Sequence, residues 1–251
     1  MSNRFRYFIE IAYNGSAYHG WQMQKNAVSV QGCIQQALST LFQSPISIMG
    51  SGRTDTGVHA YQQFAHFDLD FEISKMDFLK RINGLLPDDI AIFDLRPVQE
   101  NAHARFDAQW RSYSYHISFR KDPFLLGKAW HCYYDLEVTS MQEATKVLLE
   151  YKDFQCFSKI KTNVKTFDCK INNASWEQTD HGLVFHIQAN RFLRGMVRAI
   201  VGTLVKIGRN HLDGTSLSGI IESKDRKQAG VAAPACGLYL NEVRYPERIF
   251  K

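Results

Sequence analysis

The stretch from Gly50 to Ala60 concentrates the residues of this chain that could do chemistry. It holds three glycines, and Asp55 is its only carboxylate. Glycines permit sharp turns and let a ligand approach the main chain closely. Arg53, two positions before Asp55, would favour the ionised carboxylate if the loop brings the two together. An ionised carboxylate can act as a nucleophile, as a base or as a stabiliser of positive charge.

The same residue types also form ordinary turns, because an Asp side chain can bond to the backbone two residues on and Gly accepts a positive φ. A structural turn and a functional loop are therefore both open on residue types alone. Asp-Thr-Gly also occurs in aspartic proteases, in which two carboxylates share a proton. This chain has one such triplet, and Arg53 would oppose proton sharing. A protease-like dimer is the least favoured interpretation.

The composition is typical of a globular protein with one large domain or two smaller ones, since the 251 residues are 45% hydrophobic and 22% charged. No apolar run reaches the roughly 18 residues that cross a bilayer, and no signal peptide is evident, so we expect a cytoplasmic protein. The five cysteines are widely spaced and the nine histidines lack ligand spacing. We therefore expect reduced thiols and no metal.

The net charge of +5 only weakly indicates an anionic partner, so the distribution of basic residues matters more. Four basic clusters occur along the chain, although any one of them alone is more often a solvated surface. The clusters are Arg105, Arg111, Arg120 and Lys121; Lys159, Lys161, Lys165 and Lys170; Arg191, Arg194 and Arg198; and Lys224, Arg226 and Lys227.

Strands and helices alternate in the first half of the chain. Hydrophobic periodicity predicts strands at 4–13, 46–49, 61–69 and 90–95, and helices at 30–43 and 75–83. The Asp55 loop would then join two strands. This order predicts a layered α/β unit with helices packed on one face of a sheet.

The second half begins with a strongly β-prone run in which Arg111, Tyr113 and Tyr115 share one face. Such a face can hold a nucleotide, but tyrosines that only pack in a half-buried strand are the plainer interpretation. A long helix from Arg191 would carry a cationic face separate from its apolar stripe. The other predicted elements are helices at 140–150 and 215–222 and strands at 165–177, 182–189 and 238–243.

Ten short motifs occur in the same order as in tRNA pseudouridine synthases of the TruA type, and the chain resembles that family over nearly its whole length. The motifs are Tyr13-Asn14-Gly15-Ser16 with Gly20-Trp21-Gln22, Val30-Gln31-Gly32, Gly52-Arg53-Thr54-Asp55, Gly57-Val58-His59-Ala60, Asn83-Gly84-Leu85-Leu86-Pro87, His103-Ala104-Arg105-Phe106, Arg111-Ser112-Tyr113-Ser114-Tyr115, Asp153-Phe154, Met196-Val197-Arg198 and Gly237-Leu238-Tyr239-Leu240. The chain departs from the family pattern at Asn14, Ser51, Thr56 and Gly195.

The resemblance implies an α/β fold of two similar ferredoxin- or RRM-like halves whose sheets join around a central basic cleft, the pseudouridine synthase fold. Residues 1–104 would carry the catalytic Asp loop, and residues 105–251 the Tyr strand and the Arg helix. The implied activity is isomerisation of uridine to pseudouridine at positions 38, 39 and 40 of the tRNA anticodon stem-loop. A homodimer would bind tRNA across both subunits. Because the reaction changes no redox state and consumes no energy, we expect no cofactor.

The resemblance also implies that Asp55 is the catalytic carboxylate, that Arg198 pairs with it, and that Tyr113 contacts a flipped target base. We further expect Arg53 at the catalytic site. The residues expected to contact substrate with Tyr113 are Arg111, His59 and Arg105. The sequence leaves open whether Asp55 attacks C1′ or C6 or abstracts a ribose proton to give a glycal. An RNA-binding or chaperone protein with an idle synthase site is the alternative.

Overall fold

The computed structural model of the chain describes residues 4–160, 164–210, 212 and 216–251. The chain divides into two compact units, which are described separately below. The first unit consists of Met1–Trp110 and Tyr239–Lys251, and the second of Arg111–Leu238.

Strands and α-helices follow one another along the described residues. The strands are β1 (Phe5–Tyr13), β2 (Met49–Gly50), β3 (His59–Leu69), β4 (Ile90–Val98), β5 (Trp110–Ser118), β6 (Trp130–His131), β7 (Ile171–Thr179), β8 (Gly182–Ala189) and β9 (Leu238–Arg244). The helices are α1 (Val30–Phe42), α2 (Lys75–Asn83), α3 (Val138–Val147), α4 (Met196–Gly208) and α5 (Ser216–Ser223). The predicted mixed α/β fold class is confirmed.

The first unit is built on a mixed sheet in the order β4-β1-β3-β9, with β2 paired to β3. β1 is antiparallel to both β3 and β4, whereas β9 runs parallel to β3. β3 is central and is buried on both faces over most of its length. α1 begins at Val30, where the Ser29 hydroxyl caps it by accepting from the Gly32 N–H. α2 packs against β4 and contacts α1.

The second unit contains β8 antiparallel to both β5 and β7, and β6 parallel to β5. The β5–β8 register is continuous and pairs Arg111 with Ala189 and Tyr113 with Ile187. Alternate side chains of β5 therefore share a face, as predicted. α3 packs against α4, α5 and β7, and nearly all residues of α4 are buried.

The C-terminal strand lies in the first unit rather than with the rest of residues 105–251. The reason is its parallel pairing with β3, in which His59 faces Tyr239 and Ala60 faces Leu240. Residues 105–110 also fall in the first unit. Both facts concern long-range pairing, which local periodicity does not encode.

The prediction of a helix starting at Arg191 is wrong, because α4 begins at Met196. Gly195 has φ +73°, in the left-handed region, so the helical conformation does not extend backwards through it. Arg191 and Arg194 therefore lie on the connection that precedes α4, and Arg198 alone of the three is on the helix. The predicted strand at 46–49 is reduced to Met49–Gly50.

Two predicted features lie partly outside the described residues. They are the second basic cluster, through Lys161, and the last predicted helix, through its first residue, 215. None of the helices formed by the described part of the chain is long and apolar enough to cross a membrane.

Candidate active site

The loop that carries Asp55 connects β2 to β3 and is anchored to β3 at its start. The Ser51 N–H donates to the Phe64 carbonyl at 2.7 Å, and the Ser51 hydroxyl donates to Gln63. The Gln63 amide, on a fully buried side chain, donates to the Gly52 carbonyl at 3.2 Å. These bonds satisfy the polar groups of a buried glutamine and fix the first residues of the loop.

The segment from Tyr13 to Trp21 holds the loop on both sides of Asp55. The Trp21 N–H donates to the Thr54 carbonyl at 3.2 Å, and the Gly57 N–H donates to the Tyr18 carbonyl at 3.3 Å. The Tyr13 and Thr54 hydroxyls are hydrogen bonded at 2.8 Å. The residues that flank Asp55 are thus fixed to a neighbouring segment whose Tyr13, Tyr18 and Trp21 side chains are buried.

Asp55 itself opens a tight turn. Its carbonyl accepts from the Val58 N–H at 3.2 Å, and Gly57, the third residue of the turn, has φ +76°. A four-residue turn that needs positive φ at its third residue favours glycine there. The Asp55 side chain is half-buried, while that of Arg53 is exposed. The geometry therefore presents the carboxylate from a hydrogen-bonded turn.

Two glycines let the Tyr13–Trp21 segment approach the loop this closely. A Cβ on Gly15 would lie 1.9 Å from the Val58 carbonyl oxygen. Gly20 has φ +84°, and a Cβ there would lie 2.4 Å from the Thr54 carbonyl oxygen and 3.0 Å from the Asp55 carbonyl carbon. Any other residue at either position would push the Asp55 loop away.

His59, at the end of the loop, is 2% exposed. Its Nδ1 accepts from the Gly15 N–H at 3.1 Å, and its ring stacks on Tyr239 with centroids 4.5 Å apart. The Tyr61 ring also stacks on Tyr239, with ring centroids 4.9 Å apart. The structure thus places this predicted substrate-binding residue in the packed interior of the first unit, where it ties the loop to β9.

Arg105, also in the first unit, has an exposed side chain on a turn after residue 101. Its guanidinium carbon lies 5.7 Å from the centroid of the Phe106 ring. This cation–π contact orients a long, flexible side chain at the surface.

Tyr113 and Arg111 lie on β5 in the second unit, and both are half-buried. An Arg111 terminal nitrogen donates to the Asn190 carbonyl at 3.0 Å. The Tyr113 ring packs edge to face on Phe192, with centroids 5.0 Å apart and an interplanar angle of 85°. The connection between β8 and α4 therefore orients both predicted substrate-binding side chains.

Arg198 lies in the first turn of α4 and is half-buried. Its Nε donates to the Ala233 carbonyl at 2.7 Å, and the Ala233 N–H donates to the Arg198 carbonyl at 2.9 Å. The neighbouring Pro234 carbonyl accepts from the Tyr115 hydroxyl at 2.7 Å. Burial raises the pKa of Tyr115 well above its ordinary value, so this phenol stays protonated and acts as a donor.

The predicted site residues fall into two groups. The first unit holds Arg53, Asp55, His59 and Arg105, and the second unit holds Arg111, Tyr113 and Arg198. The pairing of Asp55 with Arg198, which belong to different units, stays a prediction. Sequence reasoning missed the residues that hold the site, such as Thr54, Gln63 and Phe192. Gly20 carried a signal, because it belongs to the Gly20-Trp21-Gln22 motif of the family resemblance.

Within the described ranges, no group of three or more His, Cys, Asp and Glu side chains is placed to hold a metal ion. The five cysteines are free thiols. Cys132, Cys156 and Cys169 are buried, and burial raises the pKa of each.

Comparison with known proteins decides the family. The family model for tRNA pseudouridine synthase matches residues 10–107 and 144–246. The matched segments include Arg53, Asp55, His59, Arg105 and Arg198, whereas Arg111 and Tyr113 lie between them. The chain belongs to the tRNA pseudouridine synthase family. This confirms the resemblance that the motifs indicated, and the family is one of isomerases.

Curated relatives within this family match nearly the whole chain. The protein named tRNA pseudouridine synthase A from Porphyromonas gingivalis is 48% identical over 250 residues, covering 98% of this chain and 99% of its own length. Its namesake from Parabacteroides distasonis is 47% identical over 246 residues, covering 98% of both chains. A more distant namesake, from Thermoanaerobacter, is 37% identical over 244 residues.

Proposed function

We propose that the chain isomerises uridine to pseudouridine in tRNA, with positions 38, 39 and 40 of the anticodon stem-loop as its targets. The observation that carries the proposal is the Asp55 turn, a half-buried carboxylate whose flanking residues are hydrogen bonded on both sides, in a chain of this family. The names of the relatives support tRNA as the substrate. The three positions rest on the motif resemblance.

In this proposal Asp55 is the catalytic carboxylate, acting as the nucleophile at C1′ or C6 or, on the glycal route, as the base. The bond from ribose C1′ to uracil N1 breaks, the base turns and is rejoined through C5, the C5 proton leaves and N1 takes up a proton. Attack at C1′, attack at C6 and the glycal route each require an ionised carboxylate. Fixing the backbone around Asp55 before substrate arrives reduces the entropic cost of reaching the reactive geometry.

The target uridine has to leave its stack before it reaches Asp55, which costs a few kcal/mol. Tyr113 would offset part of this cost by stacking on the flipped base. Its ring already has a set orientation against Phe192, so little side-chain entropy is lost on binding. Arg111, fixed on the Asn190 carbonyl, would contact the RNA beside it.

We assign Arg198 the role of counter-charge to Asp55. Its hydrogen bond to the Ala233 carbonyl leaves the guanidinium charge in place while restricting the side chain. Arg53, exposed two residues before Asp55, would add positive charge to the same loop. His59 would serve the site by holding the loop, since its ring is buried, and Arg105 would contact the RNA from the surface.

Unmodified tRNA transcripts with uridine at positions 38, 39 and 40 test this assignment. We expect pseudouridine at those positions after incubation with the protein, mapped by chemical modification and reverse transcription. Pseudouridine only at other positions would refute the site assignment, and none at any position would refute the activity. An RNA-binding protein with an idle site would bind the transcript and leave it unchanged.

Arg198→Gln tests the counter-charge, and we expect it to lower kcat far more than it weakens tRNA binding. Arg244→Gln is the matched control, because Arg244 is an exposed arginine that pairs with Glu242 at 2.7 Å. An equal loss of kcat in both variants would contradict the role of Arg198.

We also propose that the enzyme acts in the cytoplasm as a homodimer that binds tRNA across both subunits, without metal or cofactor. Sedimentation of the protein with and without tRNA tests the dimer, and a fully active monomer would contradict it. Loss of activity on chelation with EDTA would contradict the absence of a metal.

A further inference from the structure

Phe106 is an exposed aromatic residue on a rigid turn. The residue is 74% exposed. The Asp107 N–H donates to the His103 carbonyl at 3.0 Å, and the His103 N–H donates to the Asp107 carboxylate at 2.6 Å. The His103 Nδ1 accepts from the Arg105 N–H at 3.1 Å. The backbone that carries Phe106 is thus closed by bonds within the turn.

The base of this turn is fixed to the body of the first unit by three side chains. Arg6 donates to the Ala102 carbonyl at 2.8 Å. The Tyr245 hydroxyl donates to the Ala104 carbonyl at 2.6 Å, and the Ala104 N–H donates to His66 Nδ1 at 3.1 Å. Arg6 is in turn held by Asp68 at 2.7 Å.

His66 is suited to accept this bond because it stays neutral. Burial, reinforced by the charge of Arg6, lowers the pKa of His66 to about 4. Its Nδ1 lone pair is therefore available to the Ala104 N–H at neutral pH.

The ring of Phe106 sits among groups typical of nucleic-acid contacts. The centroids of the His103 and Phe106 rings lie 4.3 Å apart, with an angle of 38° between the ring planes. The Arg105 guanidinium carbon lies 5.7 Å from the centroid of the Phe106 ring. Even with these contacts, most of the ring faces water. Its exposure leaves the ring accessible to a planar ligand. A flat exposed ring beside a cation matches a base and its phosphate.

We propose that Phe106, with Arg105 beside it, is a stacking platform for an unpaired base of the tRNA, distinct from the target uridine. The inference rests on the proposed function for the identity of the RNA. The base would stack on the exposed Phe106 ring, and Arg105 would contact a neighbouring phosphate. Because the turn is already rigid, the platform orders little backbone on binding, so the stacking contributes nearly in full to affinity.

A single exposed ring among polar neighbours favours this occupant over a second protein chain. The turn follows exposed Asn101 and contains exposed Arg105 and half-buried Asp107. Contiguous apolar patches mark protein contacts, whereas sequence-tolerant stacking needs only one π-face with a positive charge nearby.

The test compares Phe106→Ala, Phe106→Leu and Phe106→Trp, with Phe93→Ala as the matched control. Phe93 is 60% exposed on β4 in the same unit. Dissociation constants for an unmodified tRNA transcript and for a blunt RNA duplex are measured by fluorescence anisotropy. Thermal unfolding establishes that each variant is folded.

We expect Phe106→Ala and Phe106→Leu to weaken tRNA binding about 5- to 100-fold, and Phe106→Trp to retain it. Duplex binding should change less than 2-fold in every variant, as should tRNA binding by Phe93→Ala. Wild-type tRNA affinity in Phe106→Ala, or wild-type affinity in Phe106→Leu, would overturn the stacking role. An equal loss on the duplex would do the same.

Two further measurements separate this inference from its alternatives. If Phe106→Ala shifts the sedimentation of the free protein to a smaller species, the ring contacts a second copy of the chain and the platform is refuted. Pseudouridine formation by the wild type is assayed in parallel. Its absence would refute the proposed function, whereas its presence together with unchanged binding by Phe106→Ala would refute the platform alone.

Discussion

Gly20→Ala is expected to damage both folding and catalysis, because a methyl group at this position meets the Asp55 loop. Gly20 has φ +84°, which costs an alanine roughly 1–2 kcal/mol. The new Cβ would also lie 2.4 Å from the Thr54 carbonyl oxygen. This oxygen belongs to the backbone, so it cannot move aside as the end of a flexible side chain could. Ordinary van der Waals contact begins at 3.4 Å, so the loop and the Gly20 segment must separate by about 1 Å.

A displacement of about 1 Å at a catalytic group can lower the rate on the order of 100-fold. We therefore expect kcat of Gly20→Ala to fall by about that factor. The separation also weakens the hydrogen bond from the Trp21 N–H to the Thr54 carbonyl. Strain and the weakened bond together should lower the free energy of unfolding by roughly 2–4 kcal/mol.

Two control variants separate the contact from the strain. Gly195 has φ +73° but no atom within 4 Å of its Cβ position, so Gly195→Ala should lose only the roughly 1–2 kcal/mol of strain. Gly219, on α5, has neither strain nor a contact, so Gly219→Ala should be neutral or stabilising by up to about 1 kcal/mol. Urea unfolding measures stability, and release of tritium from tRNA labelled at uridine C5 measures kcat. If Gly20→Ala unfolds like Gly195→Ala and keeps wild-type kcat, the Gly20 contact does not position Asp55.

Two other predictions concern polar groups of the first unit. Tyr13→Phe removes the hydroxyl that is hydrogen bonded to the Thr54 hydroxyl. The variant should therefore lower the free energy of unfolding by about 1 kcal/mol and lower kcat more than it changes KM. An unchanged kcat would contradict the role of this hydrogen bond. The folded-state pKa of His66 is lowered to about 4 from 6.5, so the unfolded chain binds this proton first as the pH falls from 6.5 towards 4. Stability should be lost across that window by up to about 1.4 kcal/mol per pH unit from this group. In urea titrations at several pH values His66→Asn should lose less than the wild type, and parallel curves for the two proteins would refute the assignment.

Local periodicity was sufficient to place most of the elements. α2 begins and ends at the predicted residues, 75 and 83, because its apolar positions recur at helical spacing. α1 likewise begins directly after the capping Ser29. Periodicity misplaced the start of α4, since Phe192 and Leu193 continue the apolar pattern although Gly195 interrupts the helical backbone.

Contacts between distant residues were beyond what the pattern could give. Tyr13 and Thr54 meet across 41 positions, and Gly15 meets His59 across 44. Neither pair has a spacing that indicates contact, because each depends on how β1 and β3 pair. The same holds for β9, which reaches β3 from the far end of the chain. The candidate site could thus be named by motif, while the groups that hold it required the structure.

The central claim is that Asp55 is the carboxylate on which the reaction depends. The most direct measurement is tritium release from tRNA labelled at uridine C5, made on the wild type and on Asp55→Asn, together with tRNA binding by both. We predict release by the wild type, and no release by Asp55→Asn at an affinity for tRNA close to that of the wild type. Tritium release by Asp55→Asn at the wild-type rate would contradict the account.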